Sequence, residues 1–219
     1  MRMAPGTTMV RTIRDSSSIE QSHLLLVEGI EDAFFFEAFL KQLKLNEIEI
    51  WPIGSGRIFK ERLKILRKLS GFERIKSIGV IRDADDNPIA AFDSVRQALI
   101  ENDLPAPDRY GCRSAKTPVT SIMILPDGLS SQGMLESLCL RAIKGEPAMS
   151  CTDRYFDCLH GLGINQREVD KDKARIYVYL ASKHEPDKRL GESALAGYWS
   201  FNNEVFDNVN RFLFEIGNT

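Results

Sequence analysis

With 219 residues, 43% of them hydrophobic and 27% charged, the chain is long enough for one sizeable domain plus an extension. A formal net charge of −2 excludes a protein that grips a long duplex through a broad basic surface. The run Leu24–Val27 is too short for a secretion signal and no stretch approaches the ~18 to 20 apolar residues of a membrane span, so a cytoplasmic protein without membrane contact is expected.

Residues 1–21 are polar, with serines at Ser16–Ser18, and read as a loosely held start with room for one edge element. His23–Val27 is a short apolar run stopped by Glu28-Gly29, which predicts a buried strand. Asp32–Leu43 places Ala33, Phe36, Phe39, Leu40 and Leu43 at helical spacing. Glu47–Ile53 predicts a second strand, broken by Gly54-Ser55-Gly56. Phe59, Leu63, Leu66 and Leu69 mark the next helix. Ser77–Ile81 is a third strand running into Arg82-Asp83-Ala84-Asp85-Asp86. A helix over Ile89–Ile100, a strand over Thr120–Leu125 and a helix over Gly133–Ile143 follow. Beyond residue 145 the pattern turns helical at Thr152–Leu159, Asp172–Ser182 and Asn203–Ile216, with Ile176–Leu180 also readable as a strand.

Strands alternating with helices imply right-handed crossovers and a mostly parallel α/β sheet flanked by helices. The expected organisation is a polar segment 1–21, an α/β core 22–145 and a helical C-terminal extension 146–219 packed on that core. The Phe34, Phe35, Phe36 and Phe39 collar is expected in the core, and Tyr198, Trp199 and Phe201 are expected to bury the extension. The four cysteines (Cys112, Cys139, Cys151 and Cys158) include no CxxC pair and are expected to be buried, reduced thiols.

The chemistry-bearing residues are acidic and stand at strand ends. Glu28 closes the first strand, and Asp32 lies four residues on, in the first helical turn. Asp83 and Asp85 end the third strand; residues two apart on a strand point to one side, so the two are expected to converge. If the chain runs outward from strand one to strand two and then crosses to strand three, strands one and three are neighbours, and all four carboxylates meet at the switch point. Such a set repels itself and raises its own pKa values. A hard divalent cation, Mg²⁺ or Mn²⁺, offsets that with oxygen ligands, whereas the set offers no His or Cys for Zn²⁺.

The stretches Leu24-Leu25-Leu26-Val27-Glu28-Gly29 with Asp32, and Ile81-Arg82-Asp83-Ala84-Asp85, resemble the toprim domain over residues 22–143. Within that superfamily the chain is similar to the toprim domains of overcoming-lysogenization-defect (OLD) nucleases and to small stand-alone toprim proteins. The resemblance implies a Rossmann-like fold and a metal site that gains a further acidic residue, Glu136 with Asp127 as second candidate. It also implies an assisting lysine, Lys173 with Lys171 as competitor. The chain carries no GxxxxGK[ST] phosphate loop and no Cys/His zinc module.

The function expected from residues and resemblance together is a metal-dependent nuclease on RNA or DNA. Glu28, Asp83 and Asp85 would hold one metal, Asp32 and Glu136 a second, and Lys173 would neutralise charge on the phosphate. Lys60, Arg62 and Arg82 are the candidate contacts to the nucleic-acid backbone. The alternatives are a non-catalytic binding or regulatory module and a small-molecule phosphatase. A homodimer or a separate partner protein is compatible with either.

Overall fold

The computed structural model describes residues 10–13, 17–167 and 170–218. The polar opening segment therefore lies partly outside the described residues. Its described part runs along the sheet: Val10 bridges Ile50 in parallel, and Ser18 bridges Ser70.

β1 (His23–Val27) is buried along its whole length. α1 (Ile30–Leu43) starts where Asp32 reaches back to accept the Gly29 N–H at 2.8 Å. β2 (Ile48–Pro52) and α2 (Gly56–Leu66) follow, and α2 buries Phe59, Leu63 and Leu66 along one stripe. β3 (Ser77–Asp83) leads to α3 (Pro88–Glu101), which opens on Pro88 with the Asn87 side chain accepting the Ala90 N–H. β4 (Val119–Leu125) is the last strand. Then come α4 (Leu135–Ala142), α5 (Pro147–Gly161), α6 (Lys171–Leu180), α7 (Leu190–Leu195) and α8 (Asp207–Gly217).

The four strands form one all-parallel sheet in the order β2-β1-β3-β4. Side-chain alternation sorts its residues between two cores. Leu24, Leu26, Trp51, Ile78 and Val80 face α2 and α3, while Leu25, Val27, Ile50 and Ile81 face α1, α4 and the helices after residue 146. α8 lies on this second face beside Gly79, where a side chain on β3 would strike Ile216. Phe35 and Phe39 meet Phe201 with ring centroids 5.3 and 4.3 Å apart, and Trp199 closes the same cluster. Each such buried aromatic contributes about 1.5–3 kcal/mol. Residues on both sides of position 145 therefore share one core.

The stretch Ile176–Leu180 lies within helix α6, in line with the helical reading of Asp172–Ser182 and not its strand alternative. Two features depart from expectation. The cysteines are all free thiols, but Cys151 and Cys158 are exposed, because α5 is peripheral and buries only Met149 and Thr152. And α7 falls in a stretch with no expected element. Its small residue Gly191 packs against the Glu31 carbonyl of α1, and its N–H donates to Glu31 Oε2 at 3.1 Å. Among the described residues, no helix is long and apolar enough to cross a membrane.

Candidate functional site

The sheet order makes β1 and β3 neighbours, and the chain leaves them toward opposite sides, so a crevice opens at their carboxyl ends. The loops around it are tied to one another. The Gly54 N–H donates to the Glu28 carbonyl at 2.9 Å, joining the turns after β1 and β2. Asp85 and Gly133 exchange two backbone hydrogen bonds of 2.9 Å, joining the turn after β3 to the entry of α4. Asp83 Oδ1 accepts the N–H of Leu135, the first residue of α4, at 3.0 Å. That bond places Glu136 beside Asp83.

These ties bring Glu28, Asp32, Asp83, Asp85, Glu136 and Lys173 to the wall of one cavity of about 660 Å³. Asp127 stands elsewhere, held by Arg141 at 2.5 Å and by Ser131 at 2.6 Å. Lys171 lines two neighbouring cavities and not this one. Asp85 reaches the cavity by a different route from the one expected. β3 ends at Asp83, and Asp85 sits beyond it with a left-handed φ of 46°, a conformation Asp tolerates better than most residues.

The electrostatics of the wall are dominated by like charge. Burial, then Asp32, Glu28, Glu136 and Asp85, push the Asp83 carboxyl well above the ordinary range. Asp83 keeps a window on the cavity, yet protein surrounds it densely enough for desolvation to lead. Asp32 is pushed up to about 6, chiefly by burial and further by Glu136; the Gly29 N–H and Lys173 only partly oppose this. Glu136 rises through burial despite Lys173, whose Nζ is 4.0 Å from Glu136 Oε1. Glu28 also rises through burial, with Asp85 and Asp32 adding to it against the pull of Arg82.

The backbone-contact candidates separate. Arg62 lines the cavity. Lys60 does not, and is instead paired with Glu101 of α3. Arg82 is half-buried and serves Glu28, its Nη1 lying 2.7 Å from Glu28 Oε1. That contact is close but not aligned as a hydrogen bond, so Glu28 Oε1 remains a buried acceptor with no donor pointed at it. Two further wall residues, Tyr177 of α6 and Arg189 at the start of α7, were missed from sequence. Nothing in their neighbourhood signals a site; only the docking of α7 on α1 brings Arg189 there.

The donor set suits a hard cation: all oxygen, carboxylate-rich, raised in proton affinity and short of counter-charge. Among the described residues, however, no three side chains converge closely enough to hold an ion as they stand. Three of the carboxylates are turned to other partners, namely Arg82, the Gly29 N–H and the Leu135 N–H.

A family model described as "Protein of unknown function (DUF3226)" matches residues 22–218. No curated protein sequence matches the chain. Among solved structures, the C-terminal region of the Xanthomonas campestris pv. campestris OLD protein, phased with platinum, aligns at 16% identity with a TM-score of 0.49, over 90% of this chain and 93% of that one. The same region phased with iodine aligns at 14% identity and a TM-score of 0.37, over 91% and 85% of the two chains.

Proposed function

The chain belongs to the DUF3226 family, and we propose that it is a divalent-metal-dependent nucleic-acid phosphodiesterase of the toprim type. The observation that carries this reading is the gathering of Glu28, Asp32, Asp83, Asp85 and Glu136, five of the seven acidic residues that line the cavity, at the switch point of a parallel sheet. Structural needs do not account for them. Asp83 and Asp32 make one cap bond each, and in return both carry raised pKa values. A cation of the Mg²⁺ or Mn²⁺ class would relieve that repulsion.

Glu28, Asp83 and Asp85 would hold one ion, with Asp32 and Glu136 available to a second. Such ions supply Lewis acidity toward phosphoryl oxygens. The chain's own residues do the rest. Lys173, exposed beside Glu136, neutralises charge that develops on the phosphate. Asp83, anchored through Leu135, holds α4 and therefore Glu136 in register with the strand ends. Arg62, which lines the same cavity, offers a guanidinium to a phosphate oxygen.

The test is incubation of labelled RNA and DNA with the protein in Mn²⁺, Mg²⁺ or chelator. Wild type should cleave only with the cation, and Asp83→Asn should lose at least about a hundredfold in rate. Equal products from the wild type and Asp83→Asn would reject the reading.

A second reading, a metal-responsive binding module, draws on the Glu28–Arg82 pair and on the lack of three convergent ligands among the described residues. Calorimetric titration with Mn²⁺ separates the two. Tight binding without cleavage of any substrate selects the module.

A further inference from the structure

The same cavity has an apolar lining that metal chemistry does not need. Ile30, Ile58 and Tyr177 make it up and are 41%, 53% and 47% exposed, so each keeps much of its apolar surface open. They come from three elements, α1, α2 and α6, so a shared helix stripe does not explain their meeting. Ile58 is held there by the turn after β2: Gly54 has φ 77°, and a Cβ on it would come within 2.8 Å of Ile58 Cγ2. Arg62 and Arg189 also line the cavity, and among the described residues neither side chain has an ion-pair or hydrogen-bond partner, although carboxylates line the same space.

On the reading above that the acidic floor cuts phosphodiesters, we infer that this cavity takes an unpaired nucleic-acid strand, with Tyr177, Ile30 and Ile58 receiving a base and Arg62 and Arg189 holding the flanking phosphates. A duplex hides its base faces inside the stack, so an apolar wall at the cleavage site would meet only sugar and phosphate. An unpaired base presents a π-face that an aromatic and aliphatic wall can cover. A cavity of about 660 Å³ holds a ligand of one or two nucleotides and not the width of a helix. The net charge of −2 agrees, since duplex binding draws mainly on many distributed cations, whereas this site needs a few placed ones.

The experiment is equilibrium binding, by anisotropy, of a labelled eight-nucleotide single strand and of the same sequence as a duplex. It uses Asp83→Asn protein in Mg²⁺, so that the ligand stays intact. The single strand should bind at least tenfold more tightly than the duplex. Adding Tyr177→Ala should weaken single-strand binding about tenfold, with Tyr177→Phe restoring it. Adding Arg62→Ala with Arg189→Ala should lower the salt slope by about 1.4, the share of two phosphates. Tyr177 and Arg189 are exposed, so these variants keep the fold. Equal or tighter duplex binding, no single-strand binding, or indifference to Tyr177→Ala each overturns the inference. Cleavage is read separately on wild type in Mn²⁺. Single-strand preference without cleavage removes the nuclease reading and leaves this one. Cleavage of duplex with indifference to Tyr177 does the reverse.

Discussion

Two acidic side chains on neighbouring parts of one sheet show what kind of burial marks a working site. Glu49 of β2 is 1% exposed, and its Oε2 accepts the N–H groups of Glu20 and Gln21 at 2.9 and 3.0 Å, while Arg11 Nε lies 3.2 Å from its Oε1 as an ion-pair neighbour not aligned as a hydrogen bond. Asp83 of β3 has one N–H donor and four carboxylates for neighbours. The first charge is compensated from within the chain and ties the opening segment to the sheet. The second is left uncompensated, and the shortfall is matched to a ligand. Burial alone would not distinguish them; the sign of the neighbours does.

The sharpest way to break this comparison is to remove the compensated charge. Glu49→Ala leaves the Glu20 and Gln21 N–H groups without their acceptor and takes one of two carboxylate neighbours from Arg11, which keeps Glu20 and the Ser18 carbonyl. The expected loss is about 2–4 kcal/mol of folding stability in urea denaturation, because two part-buried backbone donors lose their acceptor. A loss below about 1 kcal/mol would mean that Glu49 is no more structural than Asp83.

Next in size is the effect of the missing counter-charge itself. Mn²⁺ at a hundredfold excess over its dissociation constant should stabilise the wild type by about 2.7 kcal/mol. Thermal melts with and without the ion read this directly. Asp83→Asn should lose most of the gain while Glu49→Gln keeps its full size. Equal gains in both variants would place the ion elsewhere.

Much of this contrast is legible in the sequence, and the rest is hidden for physical reasons. Apolar runs ending in Glu28-Gly29 and Asp83 announce strand ends, and crossover handedness makes β1 and β3 neighbours, so the acidic floor can be read from order and spacing. Arg189 and Tyr177 cannot. α7 has six residues, too few for a 3.6-residue period to show, and it is buried through Leu190, Gly191, Ser193 and Ala194 with no polar stripe of its own. Its placement rests on Gly191 against the Glu31 carbonyl, a contact between residues 160 positions apart. Arg189 inherits that invisibility, whereas Tyr177 stands on the expected helix α6, whose pattern does not say that this exposed residue lines a cavity. Asp85 is misjudged for the opposite reason: a local rule of strand alternation is applied two residues past the point where the strand stops. The partners of Glu49 lie in the polar opening segment, where no periodicity hints that Arg11 is held.

The comparison can be sharpened by pH. The folded-state pKa of Asp32, about 6, lies above its ordinary 3.8, so the folded protein binds the proton more tightly than the unfolded chain. Stability then falls as pH rises from about 4 to about 6 and is level above. The shift corresponds to about 1–2 kcal/mol once the opening to the cavity is allowed for. Asp127, lowered because Arg141 and Ser131 outweigh its burial, works in the opposite direction below about pH 4. The clean measurement is therefore a difference. In metal-free buffer, Asp32→Asn should gain on the wild type between pH 4 and pH 7. A constant difference across that range would show that Asp32 carries no excess charge energy.

The smallest effect is the most diagnostic because it reverses the usual sign. Asp83→Asn keeps an Oδ1 to accept the Leu135 N–H, so the anchor of α4 survives. What disappears is one negative charge among Asp32, Glu28, Glu136 and Asp85, and the new amide can donate to those oxygens. At pH 8 without divalent cation, the variant should be about 1 kcal/mol more stable than the wild type, at the expense of activity. The matched change on β2, Glu49→Gln, has the opposite prospect: it leaves Arg11 beside a neutral amide and should destabilise. Removing a charge from each of two buried carboxylates should thus move stability in opposite directions. If both variants destabilise, Asp83 is a structural acid like Glu49, and the case for a cation at the switch point loses its energetic basis.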